Sequence, residues 1–256
     1  MKFSIITPTY KRPEKLLRAV NSLLSQTYQD WEMIIVNDSP SDTSYKEFSS
    51  SINDARIHYH VNDTNKGVNY SRNYAIDKVS ADSKWIILLD DDNYFAPDTL
   101  QTFHNLILLH GNQKWFVTNR ALTNGKPVTK FPKDESRYSY AWEYLLLRRC
   151  KGDATHCIET KLINQHHIRF SQHIKQGEEW LFFYQLGLLQ KMYYSDHNST
   201  ITDTEKNKKY FDNKKINSFE IALTLLYESF PLRLYKHPTF ILYSIVNIIK
   251  KIFSRK

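Results

Sequence analysis

The stretch "WIILLDDDNYF", residues 85–95, decides how the rest of the chain is interpreted. Five apolar residues, Trp85–Leu89, run directly into Asp90, Asp91 and Asp92. A short apolar run closed by polar residues is typical of a buried strand. The three adjacent carboxylates repel one another and no basic residue lies within the run, so the question is what they hold.

Other strands and helices are predicted on both sides of this stretch. Strands are predicted at Phe3–Ile6, Met33–Val36 and Ile57–His60, and helices from Pro13 to Leu24, over Ser44–Ser50, over 70–79 and over Pro97–Leu109. Strands that alternate with helices predict parallel βαβ units. The fold class is therefore α/β, with a Rossmann-like, doubly wound and mostly parallel sheet.

Polar residues follow the carboxyl ends of three of these strands. Thr7, Pro8 and Tyr10 follow the first strand, Asp38 follows the second, and the acidic run follows the fourth. Ligands of doubly wound sheets bind beyond the carboxyl ends of the strands. We therefore expect all three groups to meet in one crevice.

The acidic run suits a hard divalent cation such as Mg²⁺ or Mn²⁺, which prefers carboxylate oxygens and often bridges them to phosphates. Strand alternation predicts that Asp90 and Asp92 point the same way and Asp91 elsewhere. The alternative is that one aspartate caps the helix near Pro97 and the others are solvated. The chain has only 6 glycines and no glycine-rich phosphate loop, so a nucleotide would be held by metal and side chains.

Basic charge is concentrated near the end of the sequence. Residues 206–256 carry 11 Lys/Arg and 3 Asp/Glu, whereas the other 205 residues carry 24 of each sign. The stretch 238–256 predicts a basic amphipathic helix, which suits an anionic membrane surface. A helix packed on the main domain is the alternative, and we weigh the two equally. With no signal peptide pattern, the sequence favours the cytoplasm or a peripheral place on the inner face of the plasma membrane.

Four segments, in order, resemble family 2 glycosyltransferases of the GT-A fold. They are "SIITPTYKRPEKLLRAVNSLLSQTYQDWEMIIVNDSPSD", "NKGVNYSRNYAI", "WIILLDDDN" and "QGEEW". The resemblance implies a GT-A domain over 1–205, with a nucleotide-binding half (1–110) and an acceptor-binding half (111–205). A basic helical C-terminal extension, 206–256, follows.

The resemblance also implies roles for single residues. The nucleotide-sugar site would comprise Thr7, Pro8, Tyr10, Asp38, Asn65, Arg72, Asp90 and Asp91. Asp38 would accept a hydrogen bond from uracil, and Mn²⁺ or Mg²⁺ would be held by Asp92 with Asp90 and His197. Glu179 would be the general base, with Glu178 beside it, although the family usually has Asp at position 179.

Each role has an ordinary structural alternative. Glu178 and Glu179 suit a helix N-terminus by their charge alone. Asp38 could brace its own turn, Tyr10 could be a partly buried aromatic, and His197 could be an exposed side chain in a polar loop. Acceptor-site and core-packing roles are equally favoured for Trp142, His156 and Trp180.

The resemblance implies a metal-dependent, inverting hexosyl- or N-acetylhexosaminyltransferase. It would move sugar from a UDP-sugar to a hydroxyl of a bacterial surface glycan such as lipopolysaccharide, capsule or O-antigen, free or lipid-linked. A polyprenyl-phosphate sugar synthase is the alternative within enzymes. A nucleic-acid-binding protein is the alternative of another class, and the neutral first 205 residues and the acidic crevice argue against it.

Overall fold

The computed structural model describes residues 1–172 and 179–203, together with Pro238, Thr239, Ile241, Leu242 and Ile245. Glu178 and most of the predicted C-terminal extension lie outside these residues. Among the described residues, no helix is both long and apolar enough to cross a membrane.

The elements follow in an alternating order. The first part of the chain holds β1 (Lys2–Thr9), α1 (Pro13–Leu24), β2 (Trp31–Asn37), α2 (Tyr45–Ser51), β3 (Ile57–Val61), α3 (Val68–Asp77), β4 (Ser83–Leu88), β5 (Asn93–Phe95) and α4 (Thr99–Leu109). The second part holds β6 (Trp115–Leu122), β7 (Ser136–Tyr138), a π-helix (Tyr140–Leu146), β8 (Ala154–Glu159), α5 (Thr160–Gln165), α6 (Glu179–Leu189) and β9 (Met192–Thr202).

The described strands form one mixed sheet with the order β3-β2-β1-β4-β8-β6-β9-β5, and β7 also pairs with β9. The first four strands of that order are parallel to one another. β8 runs against both β4 and β6, and β9 runs parallel to β6. Six of the nine strands therefore point the same way, which confirms the predicted mostly parallel α/β sheet.

The sheet is buried on both faces by two hydrophobic clusters. Ile5 and Ile35 belong to one cluster, whereas their neighbours Ile6 and Ile34 belong to the other. Side chains alternate across a strand, so a continuous apolar run can supply both cores at once. This is why the apolar residues of β1, β2 and β4 are consecutive, as in Met33–Val36, and do not alternate with polar ones.

Several elements differ from the sequence predictions. β1 was predicted to end at Ile6 but runs through Pro8 to Thr9. Ile6 is the last residue of β1 that pairs with β4, so the missing N–H of Pro8 removes no bond to β4. Residues 138–150 have apolar residues at helical spacing, and the helix there is a short π-helix, in which the Leu147 N–H donates to the carbonyl of Trp142 at 2.8 Å. α6 packs so closely on it that a Cβ at Gly187 would lie 3.0 Å from Tyr140 Cβ.

Candidate active site

The three aspartates lie in the turn between β4 and β5. Leu89 N–H donates to the Ile6 carbonyl at 3.0 Å, and Asn93 N–H donates to the Asp90 carbonyl at 3.0 Å. The turn therefore begins at the carboxyl end of β4, beside the ends of β1 and β2. The expected meeting of three strand ends at one edge of the sheet is present.

Asp91 is the buried member of the run, with 1% of its side chain exposed. Its Oδ2 accepts a 2.8 Å hydrogen bond from Thr9 Oγ1, and its Oδ1 lies 2.9 Å from Arg12 Nη2. Burial raises the pKa of Asp91 to about 6, and the repulsion of Asp90 and Asp92 adds to this, although Arg12 and Thr9 oppose the rise. Asp91 thus ties the turn to the end of β1.

Asp92 shares its cation with Asp91 and not with Asp90. Arg12 Nη1 donates to Asp92 Oδ2 at 2.9 Å, so one guanidinium bridges two adjacent carboxylates. The prediction that Asp90 and Asp92 point together, away from Asp91, assumed an extended chain. The turn at this point removes that alternation.

Asp90 faces Glu179 across a buried arginine. Arg72 Nη2 lies 2.8 Å from Asp90 Oδ1 and 2.6 Å from Glu179 Oε1, while only 4% of the Arg72 side chain is exposed. Burial alone would raise the pKa of Asp90, but Arg72 and Arg120 outweigh it, so the pKa is lowered. The residue that begins α6 is thereby held beside the acidic turn.

Glu179 has the opposite shift. Loss of surrounding water raises its pKa, the Asp90 and Asp153 carboxylates add to the rise, and Arg72 and Arg120 oppose it. Yet 43% of its side chain is exposed. The carboxylate therefore has protein on several sides and an open side from which a second molecule can reach it.

Arg120, on β6, extends this network towards the second half of the chain. Its guanidinium lies 3.5 Å from Asp90 Oδ2 and 3.1 Å from Asp153 Oδ2, and 19% of the side chain is exposed. Its pKa is raised because the neighbouring carboxylates outweigh the effect of burial. Two arginines and three carboxylates thus meet at the floor of the crevice.

A cavity of about 500 Å³ opens beside the ends of β1 and β2. Its lining includes three residues predicted to contact the nucleotide, Tyr10, Asp38 and Asn65. Asp38 accepts 2.7 Å hydrogen bonds from Asn62 Nδ2 and from the backbone N–H groups of Lys66 and Gly67. Asp38 thus braces the loop that carries Asn65, whereas the alternative given above was that it braces its own turn.

A family model described as glycosyl transferase family 2 matches residues 4–167. The chain belongs to glycosyl transferase family 2. The predicted family is thereby confirmed, on more than half of the sequence.

Several relatives share shorter parts of the chain. The chain is 41% identical over 101 residues to WcaA of Escherichia coli K12, named as a colanic acid biosynthesis glycosyl transferase, covering 39% of this chain and 36% of WcaA. It is 30% identical over 129 residues to the E. coli β-1,3-glucosyltransferase WfgD, covering 50% of this chain and 49% of WfgD. The chain thus spans half or less of these relatives.

The fold also matches a solved structure. The S. aureus TarS 1–349 structure in complex with UDP-GlcNAc superposes with a TM-score of 0.73 at 20% identity, covering 88% of this chain and 64% of TarS 1–349. At this identity the match concerns the fold. It agrees with the predicted GT-A class of this family 2 chain.

Other residues predicted for the family site lie apart from these contacts. Thr7 and Pro8 are buried within β1, and neither is among the described residues that line the cavity. His197 lies on β9 and not in a polar loop, and its ring contacts Asp98 at 3.2 Å and Ser199 at 2.9 Å. These contacts place His197 against the start of α4. Neither Asp98 nor Ser199 is a predicted site residue.

The aromatic candidates for the acceptor site fall into two groups. Trp142, on the π-helix, is 47% exposed. His156 is instead half-buried and packs against core aromatics: it stacks on Phe183 with ring centres 3.9 Å apart, and its Nδ1 accepts from Trp115 Nε1 at 3.1 Å. Trp180 is half-buried and packs edge-on against Tyr184.

The donor atoms fit a hard divalent ion. Asp90 and Asp92 keep part of their carboxylate surface open, with side chains 31% and 24% exposed. Among the described residues no three His, Cys, Asp or Glu side chains form a cluster able to hold a metal alone. Mg²⁺ in phosphate-transfer sites is commonly held by one or two carboxylates with substrate phosphates completing the shell.

Sequence reasoning missed Arg12, Arg120 and Asp153. The signal for Arg12 was present, because three adjacent acids need cations and Arg12 follows the first strand by three residues. No local signal marks Arg120 or Asp153. They meet only because β6 and β8 pair as antiparallel neighbours.

Proposed function

We propose that this chain is a metal-dependent, inverting glycosyltransferase. It transfers a sugar from a nucleotide sugar, a UDP-sugar, to a hydroxyl group of a growing bacterial surface glycan. The observation that carries the proposal is the contact of Glu179 with Arg72 and, through it, with Asp90 at the end of β4. This contact joins a candidate base to the acidic turn in one crevice.

The proton-transfer step follows from the state of Glu179. Its raised pKa and its exposed side suit a carboxylate that accepts the proton of an acceptor hydroxyl. The hydroxyl oxygen forms the new bond to the anomeric carbon while the bond from that carbon to the diphosphate breaks. One displacement of this kind inverts the anomeric centre.

The leaving diphosphate gains negative charge as the bond breaks. The guanidiniums of Arg72 and Arg120 lie at the floor of the crevice, where low exposure strengthens their interaction with that charge. A divalent ion held by Asp92 and Asp90 would supply Lewis-acid stabilisation of the same group. Tyr10, Asp38 and Asn65 form the cavity that we assign to the nucleotide base.

The names of the relatives support the donor and the acceptor class. WfgD is named for transfer from UDP-Glc to GlcNAc-diphosphoundecaprenol, and the TarS structure that matches this fold is a complex with UDP-GlcNAc. WcaA is named for colanic acid biosynthesis. All three names concern bacterial glycans or a UDP-sugar. The alternative acceptor, a polyprenyl phosphate, needs little deprotonation and so would depend less on Glu179.

We also assign the C-terminal extension to an anionic membrane surface, from the cytoplasmic side. Thr239 Oγ1 lies 2.7 Å from Tyr184 Oη on α6 and so connects this residue to the main domain, whereas Ile241, Leu242 and Ile245 are each more than 40% exposed. Four basic residues follow in the sequence: Lys250, Lys251, Arg255 and Lys256. Exposed apolar residues followed by basic ones suit an anionic lipid surface.

The proposal is tested with a panel of nucleotide sugars incubated without acceptor, with and without Mn²⁺, and with release of the nucleotide as the readout. We expect slow release of UDP from a UDP-sugar that is stimulated by Mn²⁺. The variant Asp92→Asn should lose that stimulation, whereas Asp54→Asn, an aspartate paired with Arg56, should keep it. A panel with no Mn²⁺-dependent release from any nucleotide sugar would contradict the proposal.

A further inference from the structure

A second cavity, of about 520 Å³, lies in the acceptor-binding half of the chain. We call it the basic pocket, and it is lined by Lys130, Phe131, Pro132, Tyr138, Glu143 and Arg149. None of these residues belongs to the network around Asp90. The pocket is therefore separate from the crevice already described.

The segment that forms the basic pocket is strongly positive. Residues 126–151 carry seven Lys/Arg and three Asp/Glu, although the first 205 residues as a whole are neutral. All seven basic residues are exposed. In the described part of the chain, none of their side chains forms an ion pair, whereas Arg12, Arg72 and Arg120 are all paired.

The one acid in the lining is already engaged. Glu143 Oε2 accepts a 2.5 Å hydrogen bond from the backbone N–H of Ser139, at the start of the π-helix. A carboxylate that caps a helix in this way compensates the helix end rather than the neighbouring cations. Lys130 and Arg149 therefore keep their positive charge for another partner.

The wall of the basic pocket is aromatic and held in place. Phe131 stacks on Tyr194 with ring centres 4.3 Å apart and meets Tyr138 edge-on at 5.1 Å. The Tyr138 hydroxyl donates to the Lys133 carbonyl at 2.8 Å. A fixed aromatic face beside two cations suits a ligand that has both a sugar ring and a negative group.

Short backbone links join the basic pocket to the active site. Lys130 and Lys151 exchange backbone hydrogen bonds of 2.8 and 2.9 Å. The preceding residue, Thr129, accepts a 2.8 Å hydrogen bond from the backbone N–H of Arg120, whose side chain reaches Asp90. A molecule that occupied the pocket would therefore lie on the acceptor side of the crevice.

We propose that the basic pocket binds a phosphate group of the glycan acceptor, with Lys130 and Arg149 contacting the phosphate oxygens. The inference rests on the proposed function and adds the chemical class of the acceptor. A phosphodiester within a polymer and a diphosphate that links a glycan to a lipid present the same oxygens. The test below separates these two sources.

Binding is measured by calorimetry with the full chain, at saturating UDP and Mn²⁺ so that the donor site is filled. The probes are a glycerol phosphate oligomer, a short-chain alkyl diphosphate GlcNAc and the uncharged methyl glycoside of GlcNAc. We expect one of the two phosphate probes to bind and to identify the source. The double variant Lys130→Gln/Arg149→Gln should weaken that binding by about 10- to 100-fold, since charge-assisted bonds to phosphate are the strong ones.

The matched control removes the same charge outside the basic pocket, with Lys126→Gln/Arg137→Gln, and should change binding by about twofold at most. Equal weakening in both double variants, no binding of either phosphate probe, or equal binding of the uncharged glycoside would overturn the inference. Thermal melts establish that each variant is folded. UDP release without acceptor should be the same in both double variants and the parent chain, and its absence from the parent chain would instead refute the proposed function.

Discussion

The charged side chains of the crevice around Asp90 are paired with one another, whereas those of the basic pocket are not paired within the described residues. In the crevice, Asp90, Asp91 and Asp92 each lie within 2.9 Å of a guanidinium nitrogen. In the basic pocket, Lys130 and Arg149 form no ion pair within the described residues. A ligand of the crevice must therefore exchange partners with existing ion pairs, whereas a ligand of the pocket meets unpaired cations. The comparison suggests that the crevice is set up for a metal and a diphosphate, and the pocket for an anion alone.

The largest expected effect comes from Glu179→Gln. Loss of the base should lower turnover by about 10²- to 10⁴-fold, the usual contribution of general base catalysis. UDP-sugar binding, measured by calorimetry, should be nearly unchanged. The exposed glutamate variant Glu47→Gln serves as the control and should keep full turnover. Full turnover in Glu179→Gln would show that Glu179 is not the general base. It would favour the alternative acceptor, a polyprenyl phosphate.

The next effect concerns the ion pairs that distinguish the crevice. Arg72→Gln leaves Asp90 and Glu179 facing each other without their shared cation. We expect the free energy of unfolding to fall by about 2 kcal/mol, less than for a fully buried pair because both carboxylates keep some contact with water. Chemical denaturation measures this change.

Arg169→Gln provides the comparison for Arg72→Gln. Arg169 pairs with Asp77, whose side chain is 60% exposed. Such a surface pair contributes roughly 0–1 kcal/mol. If the two variants lost equal stability, the ion pairs of Arg72 in the crevice would stabilise the fold no more than a surface ion pair does.

A smaller effect, dependent on pH, is expected from His156. Burial lowers its pKa to about 3, and the charge of Arg120 acts in the same direction. In the unfolded chain this histidine is protonated near the ordinary pKa of 6.5, whereas in the folded chain it stays neutral at that pH. Stability is therefore fully present above pH 6.5 and falls by up to about 1.4 kcal/mol per pH unit as the pH drops towards 3.

His156→Gln removes this titration and keeps an acceptor for Trp115. Denaturation curves at pH 7, 6, 5 and 4 should show a shallower loss of stability in this variant than in the parent chain. His166→Gln, at an exposed position, should follow the parent chain. Parallel curves for all three proteins would show that His156 is solvated and not held neutral in the core.

Much of the structure of residues 1–110 could be predicted from sequence. β1, β2 and β4 each contain an apolar run that is followed by polar residues, and such a signal is local. The meeting of Tyr10, Asp38 and Asn65 at one cavity follows from parallel strands alone. The direction of each aspartate was mispredicted, because the chain turns at Asp91 and Asp92, and their cation Arg12 was missed.

Residues 111–205 could not be predicted to the same degree. The segment 138–150 has a helical apolar pattern, but the pattern does not distinguish a π-helix from an α-helix. Arg120 meets Asp90 and Asp153 only through tertiary pairing of β6 and β8. The alternative for His197 was an exposed side chain in a polar loop because its neighbours are polar, yet it lies within β9, at a bulge between Ser195 and Asn198, which pair with β6.

The central claim is that the acidic turn exchanges its arginine for a divalent ion and a diphosphate. The most direct measurement is a crystal structure of the chain with UDP and Mn²⁺, with the ion located by its anomalous signal. The account predicts that an Asp92 carboxylate oxygen coordinates the ion together with diphosphate oxygens, and that Arg12 has left Asp92. An intact pair of Arg12 with Asp92, with the ion bound elsewhere, would contradict it.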